Sequence, residues 1–394
     1  MTTVLPDLAL SRRRLLALAS QLGVGAAAAA TWPLPAGAQG LAGKDARLIA
    51  RSVRPPDFET PTALLDNFLT PLDAFYVRCH MPVPTTLDEA SWRLAIDGEA
   101  ASPASLSLAE LRQMPAATVT VTLECAGNGR AFFDPPVAGI QWRKGAVGTC
   151  TWTGVRLADL LKRVGARPGV THVWVSGADR PMGTQPAFVR QVPLAKATDP
   201  GTIVAYAMNG QPIPTPHGAP LRLVVPGWEG AYAIKWLNKI TLATTEHDGF
   251  WVATGYRYPT RRVAPGAAVD AKDMAPLTGL VVKSLITRPL DGAVVKPGKV
   301  TVAGFAWAGE IDIARVDVST DAGATWQPAQ LTGQAEKFAW RRFEFTYLAI
   351  REDTHTVLSR ATDARGNTQP MVPQWNPSGY LWNAPDQVRI EVKA

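Results

Sequence analysis

Leu123-Glu124-Cys125-Ala126-Gly127-Asn128-Gly129-Arg130 is the densest chemical stretch in this chain of 394 residues. It follows directly on Val119–Leu123, whose alternation of β-branched residues reads as a strand. A cysteine between a strand end and a Gly-Asn-Gly turn sits where backbone can approach a bulky ligand closely. Arg130 adds a permanent cation expected to lower the thiol pKa and attract anions. A buried cysteine in a turn beside a surface arginine fits the same residues, and local features leave both readings open. The chain has three cysteines, Cys79, Cys125 and Cys150. In an oxidising compartment an odd count marks a thiol with work other than a disulfide.

That compartment is suggested by the N-terminus. Ser11-Arg12-Arg13-Arg14 precedes a short Ala/Leu-rich run and then Ala36-Gly37-Ala38, the pattern of an export signal. The twin arginines point to the route that carries folded proteins, with residues 1–38 as the leader and the periplasm as destination. The run from Leu15 to Ala30 is too short and too rich in alanine for a membrane span, and the mature chain has none. The formal charge of +7 drops by two without the leader. That mild excess suits an anionic substrate, and no clustered Lys/Arg run points to nucleic acid.

Residues 39–394 exceed what one core usually covers, so two domains are expected. Leu108–Met114 and Leu157–Val164 have helical spacing, with Ser107 and Thr153-Gly154 as starts. Elsewhere short runs such as Trp92–Ile96, Val173–Ser176 and Leu221–Val225 read as strands, giving an α+β domain on mixed sheets over 39–270. From Gly279 the chain becomes strand after strand: Val281–Ile286, Lys299–Trp307, Ile313–Ser319, Trp340–Tyr347, His355–Ala361 and Gln387–Val392. Asp291-Gly292 and Arg365-Gly366-Asn367 supply turns between them. A β-sandwich of immunoglobulin type is expected for 271–394, after a linker at Val263–Leu277.

Several blocks in order resemble the sulfite oxidase family of molybdenum-pterin enzymes. Leu123–Arg130 is similar to the loop that donates the family's cysteine ligand, and Gly139-Ile140-Gln141-Trp142 and Trp152–Leu157 follow it. Phe75-Tyr76-Val77-Arg78-Cys79-His80-Met81-Pro82 lies upstream. His217-Gly218-Ala219-Pro220-Leu221-Arg222 and Lys235-Trp236-Leu237 lie downstream. The resemblance spans about 70 to 392.

It implies one molybdopterin per chain, with Cys125 as the metal's protein ligand; a thiolate is a soft donor suited to a redox metal. Tyr76, Val77, Arg78, Cys79, His80, Asp179, His217, Arg222 and Lys235 match cofactor-binding positions, the last basic groups facing the pterin phosphate. Apart from that match, Cys79 and Cys150 read as packing residues. Arg78, Arg130, Trp142 and Tyr256 match the substrate pocket, with Arg78, Arg130 and Tyr256 in catalytic roles. Tyr258 is a rival two residues on from Tyr256.

The implied activity is oxidation of sulfite to sulfate, with electrons passed singly to an external cytochrome c, because no Cys-x-x-Cys-His haem site is present. The C-terminal sandwich is implied to form a homodimer. Two departures bear on substrate. Ser378 stands where many members carry a third arginine, and Ala138 stands where vertebrate relatives carry a lysine; Arg257 is a candidate to compensate. A sulfane on a protein, another sulfur oxyanion or an S-oxide is therefore the alternative substrate. A non-catalytic binding protein built on the sandwich is a rival of another class.

Overall fold

The Val/Thr-rich run before the cysteine forms the strand Ala116–Glu124 in a computed structural model that describes residues 41–394. The export leader falls outside the described residues. Ala116–Glu124 pairs antiparallel with Val147–Arg156 throughout, Val121 opposite Cys150 and Glu124 opposite Val147. Val147–Arg156 pairs in turn with Ile203–Met208, which also carries Arg222–Val224 on an antiparallel ladder. β-Branched residues favour this pleated arrangement. The first strand is exposed at its start and buried over its last four residues, so the chain delivers Cys125 into the interior.

A second sheet runs Ala104–Ser107, Arg93–Gly98, Leu237–Ala243, His172–Gly177, Val189–Pro193. Leu237–Ala243 lies parallel to Arg93–Gly98 and antiparallel to His172–Gly177, so this sheet is mixed, as expected. The helix Leu108–Gln113 begins at Ser107 with a reciprocal capping box to Glu110. The helix Leu157–Val164 buries Leu157, Leu160, Leu161 and Val164 between the sheets and stops at Gly165. Its start is not Thr153-Gly154. Those residues pair with Ala207 and Ala205 in the sheet, so their backbone groups are already committed, and Arg156 takes the N-cap.

A small antiparallel sheet of Ile49–Val53, Pro56–Glu59 and Val77–Arg78 sets Arg78 opposite Asp57. The C-terminal part is the expected two-sheet sandwich. One sheet runs Lys283–Arg288, Gly298–Trp307, Arg341–Ala349, Gln330–Thr332. The other runs Val294–Val295, Asp386–Val392, Thr354–Asp363, Ile313–Ser319, Gln327–Pro328. Asp386–Val392 alternates buried and exposed at every residue, the signature of a half-buried strand. Val302, Val316, Phe343, Val357 and Val388 fill the space between the sheets.

The proposed linker is more than a connection. Within Val263–Leu277, Met274–Pro276 pairs antiparallel with Arg257–Pro259, and Leu277 N–H donates to Tyr256 O at 2.8 Å. Leu65 and Val147 share a core with Leu285, Phe305, Trp307 and Trp340, so the sandwich is joined to the sheets before it by a dry contact. Residues 41–394 form one compact unit. Among the described residues no helix is long and apolar enough to cross a membrane.

Candidate active site

Cys125 leaves the strand end with its N–H bonded to Ala146 O at 2.9 Å, and its carbonyl accepts from Asn128 N–H at 2.8 Å. Gly129 closes this turn at φ +93°, and a Cβ there would lie 2.6 Å from Trp382, so only glycine fits. All three cysteines are free; Cys79 and Cys150 are fully buried, whereas Cys125 is partly exposed. Burial raises the Cys125 thiol pKa above its ordinary value. Arg78 and Arg130 pull the other way and lose. Arg130 thus lowers the thiol pKa as expected, but burial is the larger effect and the net shift is upward; metal coordination would deprotonate the thiol outright.

Cys125 opens onto a partly enclosed cavity. Nine of the residues singled out in the sequence line it: Tyr76, Arg78, His80, Cys125, Asp179, His217, Arg222, Lys235 and Tyr256. Four do not. Val77 packs in the core with Trp236. Cys79 is buried, but its Sγ accepts from Lys235 Nζ at 2.8 Å, so it touches the site through that lysine. Trp142 is fully buried, edge-on to Tyr76 at 6.4 Å.

Arg130 lies behind the cysteine turn. It donates to the carbonyls of Ile140, Ser378 and Gly379 at 3.1, 3.4 and 3.2 Å.

His217, Arg222 and Lys235 make part of the lining basic, and Lys44 adjoins them behind His217. Lys44 Nζ lies 2.8 Å from His217 Nε2, Arg222 Nη1 donates to His217 O at 2.9 Å, and Lys235 Nζ donates to Pro216 O at 3.0 Å. Among the described residues no carboxylate forms a salt bridge with Lys44, Arg222 or Lys235. Burial lowers every one of these groups: Lys44 to about 7, Arg222 to about 10, with Lys235 and His217 also down. Arg222 Nε is buried with no partner. A nest of desolvated basic groups with a spare donor is stabilised by a buried anion, and the phosphate of a pterin cofactor fits it.

Arg78, His80 and Tyr256 also line the cavity. Arg78 is paired with Asp57 at 3.2 Å. Burial, then Arg78, Lys235 and Arg190, keep the His80 imidazole neutral, and its Nε2 shares a short hydrogen bond with the Tyr256 hydroxyl. Tyr256 sits at φ +53°, rare for an aromatic residue, and is held there by packing. Its ring stacks on Tyr380 and lies 4.8 Å under the Arg190 guanidinium. Tyr256, and not Tyr258, lines the cavity.

Arg257, the candidate to compensate, is not among the residues lining the cavity. Its guanidinium donates to Val252 O and Met274 O, and Ser378 Oγ donates to Arg257 O at 2.9 Å.

Five residues at or beside the site escaped the sequence reading: Lys44, Arg190, Glu229, Lys283 and Tyr380. Arg190 had a faint signal, a lone charge inside the buried run Val189–Pro193. Glu229 lines the cavity 3.6 Å from Arg190, and burial raises its pKa to about 7. Lys44, Lys283 and Tyr380 carried no local signal.

The geometry defines a molybdopterin-type oxidoreductase site, and comparison with known proteins agrees. Residues 80–251 match the family described as oxidoreductase molybdopterin binding domain, and 275–393 match the Mo-co oxidoreductase dimerisation domain. Over 361 residues the chain is 39% identical to mitochondrial sulfite oxidase of Mus musculus, covering 86% of this chain and 65% of that enzyme. Sulfite oxidase of Arabidopsis thaliana is 33% identical, covering 81% of this chain and 87% of its own length. The sulfane dehydrogenase SoxCD from Paracoccus pantotrophus superposes with a TM-score of 0.74 at 26% identity, over 94% of this chain and 95% of that one. The chain belongs to the sulfite oxidase family of molybdenum-pterin enzymes.

Proposed function

We propose that this chain oxidises sulfite to sulfate in the periplasm and passes two electrons, one at a time, to an external c-type cytochrome. The observation that supports the reading is that Cys125 lines one cavity together with His217, Arg222 and Lys235 and with Arg78, His80 and Tyr256. In this reading Cys125 holds the metal, and His217, Arg222, Lys235 and Lys44 hold the phosphate. When bound, the pterin-held molybdenum supplies two-electron redox chemistry and oxygen transfer.

The protein's part is binding, orientation and proton handling. Arg78 offers a fixed cation to a small dianion, while Arg130 adds positive field from behind the cysteine turn. The Tyr256 hydroxyl can donate towards the reacting oxygen, oriented by its hydrogen bond with the neutral His80 imidazole, whose Nε2–H then donates to the phenol oxygen. Sulfite and water give sulfate, two protons and two electrons. The sandwich at 275–393 would join two copies into a homodimer. Export by the twin-arginine route would deliver the folded, loaded protein.

Purified molybdenum-loaded protein is expected to reduce cytochrome c or ferricyanide when given sulfite; no turnover in a loaded sample overturns the reading. A second reading keeps the cofactor and exchanges the substrate for a sulfane on a carrier protein. The likeness to SoxCD and the serine at 378 favour it. A substrate panel including a protein persulfide separates the two.

A further inference from the structure

The C-terminal sandwich reaches the residue next to the metal-binding cysteine. Glu124 is 2% exposed, and its carboxylate is held by donors from two parts of the chain. Asn128 Nδ2 and Lys283 Nζ donate to Oε1 at 2.9 and 2.5 Å; Trp307 Nε1 donates to Oε2 at 2.9 Å. Lys283 also donates to Asn128 O at 3.2 Å. Lys283 and Trp307 stand opposite each other on paired strands of the sandwich, so the two donors move as one rigid unit.

From Glu124 the network runs straight to Cys125. Asn128 Oδ1 accepts from Ala146 N–H at 3.1 Å, and Ala146 O accepts from Cys125 N–H. Shifting Glu124 therefore shifts both backbone bonds that orient the cysteine. A buried Lys–Glu pair is a poor source of net stability, because desolvating two charges offsets most of their attraction; what it supplies is a fixed geometry. Groups that orient a metal ligand commonly change metal affinity by roughly ten- to a hundredfold when removed.

We propose that Lys283 and Trp307 are positioning residues for the Cys125 thiolate, so that the sandwich is a working part of the metal site. The proposal rests on the cofactor reading above only for its metal readout.

Two variants keep the fold testable. Trp307→Phe removes one donor and keeps the ring. The double variant Glu124→Gln/Lys283→Met removes both charges and avoids leaving one buried alone. Unfolding midpoints report the fold, and the rate of Cys125 alkylation in cofactor-free protein, on a Cys79→Ala/Cys150→Ala background, reports the cysteine's position. Molybdenum content and the Mo(V) paramagnetic spectrum of the loaded enzyme report the metal. The expected result is a several-fold change in alkylation rate, roughly tenfold weaker molybdenum retention and a shifted spectrum, with unfolding midpoints near wild type. Lys283→Arg should restore much of the wild-type spectrum. Wild-type alkylation rates in both folded variants overturn the proposal. If the wild type retains no molybdenum, the cofactor reading falls and the alkylation rates alone decide the clamp.

Discussion

Tyr256 and Tyr380 lie ring over ring, their centroids 5.6 Å apart and their planes within 2° of parallel. The Arg130 guanidinium lies 5.2 Å from the Tyr380 ring centre, and that of Arg190 lies 4.8 Å from the Tyr256 ring centre. Each of the two stacked rings thus also has a guanidinium over it. Such a stack holds the phenol in place although its backbone is in the left-handed region. Tyr380→Phe keeps the stack and should leave sulfite turnover near wild type. Tyr380→Ala removes about 0.5–1.5 kcal/mol of ring contact and should lower kcat/KM roughly two- to tenfold. Steady-state kinetics on both variants check this.

Lys44 predicts a pH effect. Its folded pKa of about 7 lies below the ordinary 10.5, so between those values the unfolded chain binds more protons than the folded one. Stability of the cofactor-free protein should therefore rise with pH through that window. Lys44→Met should flatten this rise, measured as denaturant unfolding at several pH values. The same variant should lose cofactor more readily, by about tenfold or more, if its charge-assisted hydrogen bond reaches the phosphate.

The cysteines should behave unequally. Cys125→Ser should fold normally and lose turnover to background. Cys150→Ala, fully buried against Thr70 O, should lose modest stability and keep activity. Metal analysis beside the assay separates loss of metal from loss of chemistry.

Ser378→Arg tests the substrate departure. Restoring a third cation should lower KM for sulfite roughly tenfold at low salt while kcat changes little, the mark of uniform binding. The lost Ser378–Arg257 hydrogen bond should cost about 1 kcal/mol. An unchanged KM would show that position 378 does not face the anion.

Elements built from local pattern were legible in the sequence. Leu157–Val164 and Ile313–Ser319 occupy their expected bounds, because four buried apolar residues at helical spacing and a bounded β-branched run each specify one structure. The cysteine turn was legible for the same reason, with strand, glycines and thiol lying within a dozen residues. What escaped depends on distance along the chain. Lys283 meets Glu124 from 159 positions away and Lys44 meets His217 from 173, so no window of sequence contains either pair. The direction of Arg130's effect on the thiol was legible, but burial, a tertiary quantity that outweighs it, was not. Met274–Pro276 looked like a linker because its Ala/Pro composition hides an edge pairing with Arg257–Pro259.

The turn around Cys125 is finished by residues synthesised last: Leu381 N–H bonds Ala126 O, Trp382 covers Gly129, and Gly379 O holds Arg130 from 249 positions away. At about 5–20 residues per second, a ribosome reaches those residues on the order of ten to fifty seconds after it makes the cysteine. Throughout that interval the turn lacks the contacts that residues 379–382 make with it. A cofactor held by Cys125 would therefore meet a finished turn only after residues 379–382 have folded back onto it.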